Sequence, residues 1–144
     1  MSSYNTVLLA IDLTDEADEV AAKAVNLSTN NNATLHVVHV IEPLSFAYGG
    51  DIPMDFSAIQ EEIQKQAETQ LAEFGNKYNI PAERRYIVLG RPETEIHAKA
   101  EQISADVLVV GSHGRHGLAL LLGSTANGVL HGAKCDVLAV RVGD

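Results

Sequence analysis

The chain has 144 residues, 46% of them hydrophobic and 20% charged, with nineteen Asp/Glu against ten Lys/Arg and a formal net charge of −9. That length suits a single domain, 1–144, able to bury a core, and the composition excludes a disordered chain. The acidic balance argues against a nucleic-acid partner or a membrane-surface face, and the single cysteine, Cys135, excludes an internal disulfide. With no leader pattern and no apolar run of about 18 residues, a soluble cytoplasmic protein is expected.

Thr6 to Ile11 (TVLLAI) is a short apolar run that predicts a first strand ending at Asp12. Leu13-Thr14-Asp15-Glu16 then supplies capping and acidic residues suited to a helix start. Val20, Ala21, Ala24 and Leu27 fall at helical spacing from roughly Glu16 to Ser28, and Asn30-Asn31-Asn32 stops the pattern. Leu35 to Ile41 (LHVVHVI) is the second strand. Its His36 and His39 are three residues apart, so they point to opposite faces, cannot share an ion, and read as packed or partly exposed.

From Glu42 to Phe56 periodicity is lost and Pro43, Gly49, Gly50 and Pro53 break the chain, which predicts a lid or mobile segment open to proteolysis at Glu42 to Asp55. Ser57 to Tyr78 predicts a long helix with Ile59, Ile63, Ala67, Leu71 and Phe74 on one core-facing stripe. Arg85 to Leu89 (RYIVL) is the third strand. Gly90-Arg91-Pro92-Glu93 turns into a helix with Pro92 at its first position, running to about Ile103. Val107 to Val110 is a fourth strand buried on both faces, after which Gly111, Gly114 and Gly117 open a loop. Ser124 or Thr125 starts a last helix ending near Gly132, and Asp136 to Val142 (DVLAVRV) is the fifth strand.

Strands alternating with helices predict a parallel sheet covered on both faces, in which ligands bind beyond the carboxyl ends of the strands at the switch in strand order. The loops after strands one and four, with Asp12 and Gly111 to Thr125, are the candidates. Glycines there let backbone N–H groups approach an anion, and Gly123, Ser124 and Thr125 add donors at a helix start. The alternative for Asp12 is a carboxylate accepting N–H bonds from its own turn, and for Gly111 and Gly114 a tight turn. His113 and His116 are two ligands where zinc sites take three or four, so no metal site is assigned. No nucleophile elbow and no GxxxxGK[ST] phosphate loop occur. With no lysine in the glycine loop and no base placed to activate water, a switch or sensor fits better than an enzyme, and hydrolysis is slow at most.

The stretches VLLAIDLTDEA, HVVHVIEP, GRPETEI, ADVLVVGSHGRHGLALLLGS and CDVLAV together resemble the universal stress protein A family along the whole chain. The resemblance implies a doubly wound, Rossmann-like five-stranded sheet of order 3-2-1-4-5, a homodimer, a cytoplasmic stress-response role and, in one branch, bound ATP, with Mg²⁺ where a carboxylate holds it. It implies an adenine beside Val40, ribose near Asp12, and phosphates on Gly111, Gly114, Gly123, Ser124 and Thr125. That branch has nine residues between its second and third glycines; here Arg115 to Leu122 number eight. The other branch shares the fold and binds no ATP, so a nucleotide-free dimeric interaction protein is the alternative, and a slow ATPase or phosphorylated regulator a further one. Strand five would otherwise be a free apolar edge, which suits the dimer interface.

Overall fold

Five parallel strands form one sheet of order β3-β2-β1-β4-β5, with β1 at Thr6–Ile11, β2 at Thr34–Ile41, β3 at Arg85–Leu89, β4 at Val107–His113 and β5 at Asp136–Val142. The computed structural model describes residues 4–13, 17–43, 56–113 and 132–142. Helices α1 (Ala17–Asn31), α2 (Phe56–Lys77) and α3 (Pro92–Gln102) connect the strands, with a 3₁₀ turn at Ala82–Arg84 before β3. This is the doubly wound order expected. Most of the Glu42–Asp55 loop, the start of the last helix, and Gly114, Gly123, Ser124 and Thr125 lie outside the described residues.

Strand alternation sorts the core into two layers. Val7, Leu9, Leu35, Val37, Val107 and Val109 meet Val20, Ala21 and Ala24 of α1 and Leu71 and Phe74 of α2. On the opposite face Leu8, Val38, Leu108 and Val110 meet Ile96 and Ala100 of α3. Because β1 is central and covered on both sides, its sequence is apolar without alternation. The stripe on α2 is buried at Ala67, Leu71 and Phe74, whereas Ile59 is 49% exposed. The expected core face therefore covers only the later turns of that helix.

The three helices α1, α2 and α3 end in the same way, with a residue in the left-handed region: Asn32 (φ 54), Asn79 (φ 60) and Ser104 (φ 56). The amide after each reaches back five residues, Ala33 to the Ser28 carbonyl at 2.8 Å, Ile80 to Gly75 at 2.8 Å and Ala105 to Ala100 at 2.9 Å. α1 runs three residues past the expected Ser28, and the Asn31 side-chain amide donates to the Leu27 carbonyl at 2.9 Å within that extra turn. In α2, Gly75 makes room for Arg85, which a Cβ there would overlap. The Arg85 guanidinium donates to the Ile80 carbonyl at 2.7 Å and to Asn76 Oδ1 at 2.9 Å, fastening the helix end to β3.

The amino ends of the strands are stitched together. The Asp106 carboxylate accepts the N–H groups of Asn5 at 2.7 Å and Thr6 at 2.9 Å, and Tyr4 donates its hydroxyl to Asp136 at 2.7 Å. The carboxyl ends are where the sheet parts.

Candidate functional site

The pairing of β1 with β4 runs Val7↔Val107 to Leu9↔Val109, whereas its pairing with β2 continues to Ile11↔His39. Beyond Leu9 the chain leaves β4 for the turn at Asp12, and this parting is the switch point where doubly wound sheets admit ligands. Asp12 follows β1 directly and is exposed; Leu13 after it has φ 59, which places a residue with a Cβ in the left-handed region. Such a residue stays in that region only where its surroundings hold it.

The registers bring the described site residues together. Asp12 and Val40 each follow directly on the Ile11↔His39 pair, and Gly111 lies two residues past Val109, the last β4 partner of β1. Across β2, β1 and β4 these positions span about 10 Å at strand spacings of ~4.8 Å, the scale of a nucleoside. Val40 packs against the α3-side core and pairs with Val88. Gly111 is not in a loop as the glycine pattern suggested. β4 continues through it, with Gly111↔Val140, Ser112↔Arg141 and His113↔Val142 paired to β5. Its interstrand bonding with β5 overrides the weak strand preference of glycine. Gly114, Gly123, Ser124 and Thr125 lie outside the described residues.

The two strand histidines divide as alternation requires. His36 shares a 2.8 Å hydrogen bond with the Tyr86 hydroxyl and stacks on its ring, with Lys99 Nζ 4.2 Å from the centre of that ring. Burial, then the Arg84 and Lys99 charges, hold His36 below its ordinary value, so its ring is neutral at pH 7. His39 sits at the other end of β2, with Nδ1 2.8 Å from the Ile11 carbonyl oxygen. His39 is half-buried, as the sequence led us to expect; the pattern could not supply its partner, which is a backbone atom on a neighbouring strand. Its place one residue before Val40 was the available signal.

The first turns of α1 and α3 already carry Asp18 and Glu19, and Glu93 and Glu95, which offset the positive ends of those helices. At the turn after β3, Gly90 donates its N–H to the Ile41 carbonyl at 3.0 Å, and a side chain on Gly90 would collide with Glu95.

Cys135 lies at the opposite end of the sheet, beside a cavity of about 220 Å³ lined by His97, Ala100, Glu101, Ser104 and Lys134. It is half-buried, and burial, then the Asp136 and Asp106 carboxylates, push its thiol up, so it is protonated at neutral pH. No group of three or more His, Cys, Asp and Glu among the described residues is arranged to hold a metal ion, and no helix among them is long and apolar enough to cross a membrane.

Together these features define a doubly wound α/β protein whose sheet parts between β1 and β4 at its carboxyl end. The universal stress protein family model matches residues 3–141. Universal stress protein A homolog 1 of Coxiella burnetii is 43% identical over 139 residues, covering 95% of this chain and 96% of that protein. The chain belongs to the universal stress protein family. Two solved structures share the fold. Universal stress protein UspA from Lactobacillus plantarum aligns with a TM-score of 0.76 at 23% identity, covering 98% of this chain and 100% of that one. A universal stress protein in complex with cAMP aligns at 0.71 and 24%, covering 97% and 98%.

Proposed function

We propose that this universal stress protein is a cytoplasmic stress-response switch or sensor that binds ATP, acting as a homodimer of a single 1–144 domain. The observation that carries the reading is the parting of β1 from β4, with Asp12 and Val40 each one residue past the Ile11↔His39 pair and Gly111 two residues past the last β1–β4 pair, Leu9↔Val109. Adenine lies beside Val40, ribose near Asp12, and the phosphates take backbone donors at Gly111 and Gly114 and the hydroxyls of Ser124 and Thr125. A fold relative in complex with cAMP supports an adenine nucleotide as the ligand class. The single exposed carboxylate of Asp12 suits Mg²⁺ that arrives with a nucleotide, since that ion commonly takes one or two carboxylates with phosphate oxygens and water. Any hydrolysis is slow.

Calorimetry with ATP and Mg²⁺ tests this. Two or three charge-assisted hydrogen bonds at about 1.5–3 kcal/mol each supply much of the affinity, so Gly114→Val abolishes binding with the fold intact. One glycine inserted between Leu122 and Gly123 restores the nine-residue interval and strengthens binding. A second reading, the nucleotide-free dimeric interaction protein, is favoured by the eight residues from Arg115 to Leu122. Absence of ATP binding in both the parent and the insertion variant selects it.

A further inference from the structure

The end of β1 has lost its partner on one side and is held from the other by a side chain. β4 no longer pairs with it past Leu9, and the last pair on the β2 side is Ile11↔His39. There His39 Nδ1 meets the Ile11 carbonyl oxygen at 2.8 Å, and the ring is half-buried. A carbonyl oxygen can only accept, so Nδ1 carries the hydrogen in the neutral ring and the lone pair sits on Nε2. Protonation adds a hydrogen at Nε2 and leaves Nδ1–H in place. The bond to Ile11 therefore persists in both charge states.

Asp12 is the next residue, and Leu13 follows with φ 59. A non-glycine residue stays in that region only where its surroundings hold it. Leu13 packs against the α1-side core on one side of this turn, and Ile11 is tied to His39 on the other. The two anchors bracket Asp12.

We propose that His39 is a positioning residue for Asp12: its Nδ1–H bond fixes the Ile11 carbonyl, and with it the direction in which the Asp12 carboxylate leaves the sheet. The inference rests on the nucleotide reading for its ligand and on the hydrogen bond alone for its geometry. His39 touches the backbone of β1, so its effect on a nucleotide passes through Asp12.

The test uses the full chain and two substitutions. His39→Leu keeps an apolar body and removes the donor; His39→Asn puts an amide nitrogen near the Nδ1 position and restores it. His39→Leu raises the Kd for ATP with Mg²⁺ about five- to tenfold, the scale of one hydrogen bond, and His39→Asn returns it to within about twofold of the parent. In the ligand-free protein, NMR finds the parent ring protonated at Nδ1, and the Asp12 and Leu13 backbone resonances move in His39→Leu and return in His39→Asn.

A parent ring protonated only at Nε2 overturns the proposal whether or not a variant folds. So does equal ATP binding by parent and His39→Leu, or a failure of His39→Asn to rescue a weakened site. If the parent binds no ATP while the Asp12 and Leu13 resonances respond as described, positioning is supported and the nucleotide reading is the part that fails.

Discussion

Leu138→Lys separates the proposed dimer from the stability of the single chain. β5 is an edge strand, paired only with β4, and Leu138 on it is 38% exposed. Fully burying a leucine contributes about 1.5–3 kcal/mol, so covering the exposed share contributes roughly 0.6–1.1 kcal/mol per copy and, across a two-fold interface, about 1.1–2.3 kcal/mol. Lysine forfeits that and adds two ammonium groups to be desolvated, so the dimer constant weakens by at least about tenfold. Sedimentation across a concentration series reads the constant, and thermal unfolding of the variant stays close to the parent. An unchanged dimer constant, or a parent that is monomeric at tens of micromolar, refutes the reasoning. Val140 is the wrong residue for this purpose. It is 7% exposed and belongs to the α1-side core, so Val140→Lys unfolds the chain before it reports on assembly.

Asp106→Ala removes the acceptor of two amides at the start of β1. Discounted for solvent at Asn5, the loss is about 1–2 kcal/mol, a fall of roughly 3–8 °C in Tm. The proposed ATP affinity is unchanged, because the proposed site lies at the other end of the strands; calorimetry and thermal unfolding on one sample read both. A second expectation concerns pH. The Asp18 carboxylate accepts from the Tyr78 hydroxyl at 2.5 Å and from Lys77 Nζ at 3.0 Å, joining the start of α1 to the end of α2. Burial and this carboxylate push Tyr78 up from 10.0 to about 12. The folded chain therefore keeps a proton that the unfolded chain releases, and this contribution, complete below pH 10, is lost as pH rises toward about 12. Asp18 runs the other way: Tyr78, then Lys77, hold it low, so its contribution is present above the ordinary carboxylate range and lost as pH falls through the lowered value. Denaturant titrations of the parent and Tyr78→Phe show the larger alkaline loss in the parent, because Tyr4 and Tyr86 are also raised and remain in both, and equal losses count against the clamp.

The parts of the molecule legible in the sequence are those governed by local pattern. TVLLAI, RYIVL and DVLAVRV became strands with the expected bounds, because an apolar run closed by turn residues has few other outcomes. Pro92 opens α3 as its missing N–H and fixed φ predict. Ile59 shows the limit of periodicity. The helical repeat assigns it to the same stripe as Leu71, yet a stripe specifies a face without specifying whether anything covers it.

The site was legible as a place and not as an arrangement. Asp12 could be read from the end of an apolar run, because the rule about carboxyl ends needs only the order of elements. Gly111 and His39 needed the register. Gly111 looks like a loop residue until β5 is set beside it, and His39 looks like a packed histidine until its ring is placed against the Ile11 carbonyl. The loop reading of Gly111 was corrected and the packed reading of His39 held without its partner, for one physical reason: a strand's hydrogen-bonding partners lie on other strands, so the chemistry at its end depends on sequence distant along the chain. Register also explains why the sheet parts where it does. β2 pairs with β1 to the last residue of that strand while β4 stops pairing two residues earlier, so the turn through Asp12 leaves the sheet from a strand supported on one side. A turn built this way is only as well oriented as its remaining side contacts, which is why the bond from His39 to Ile11 is the proposed determinant of where Asp12 points.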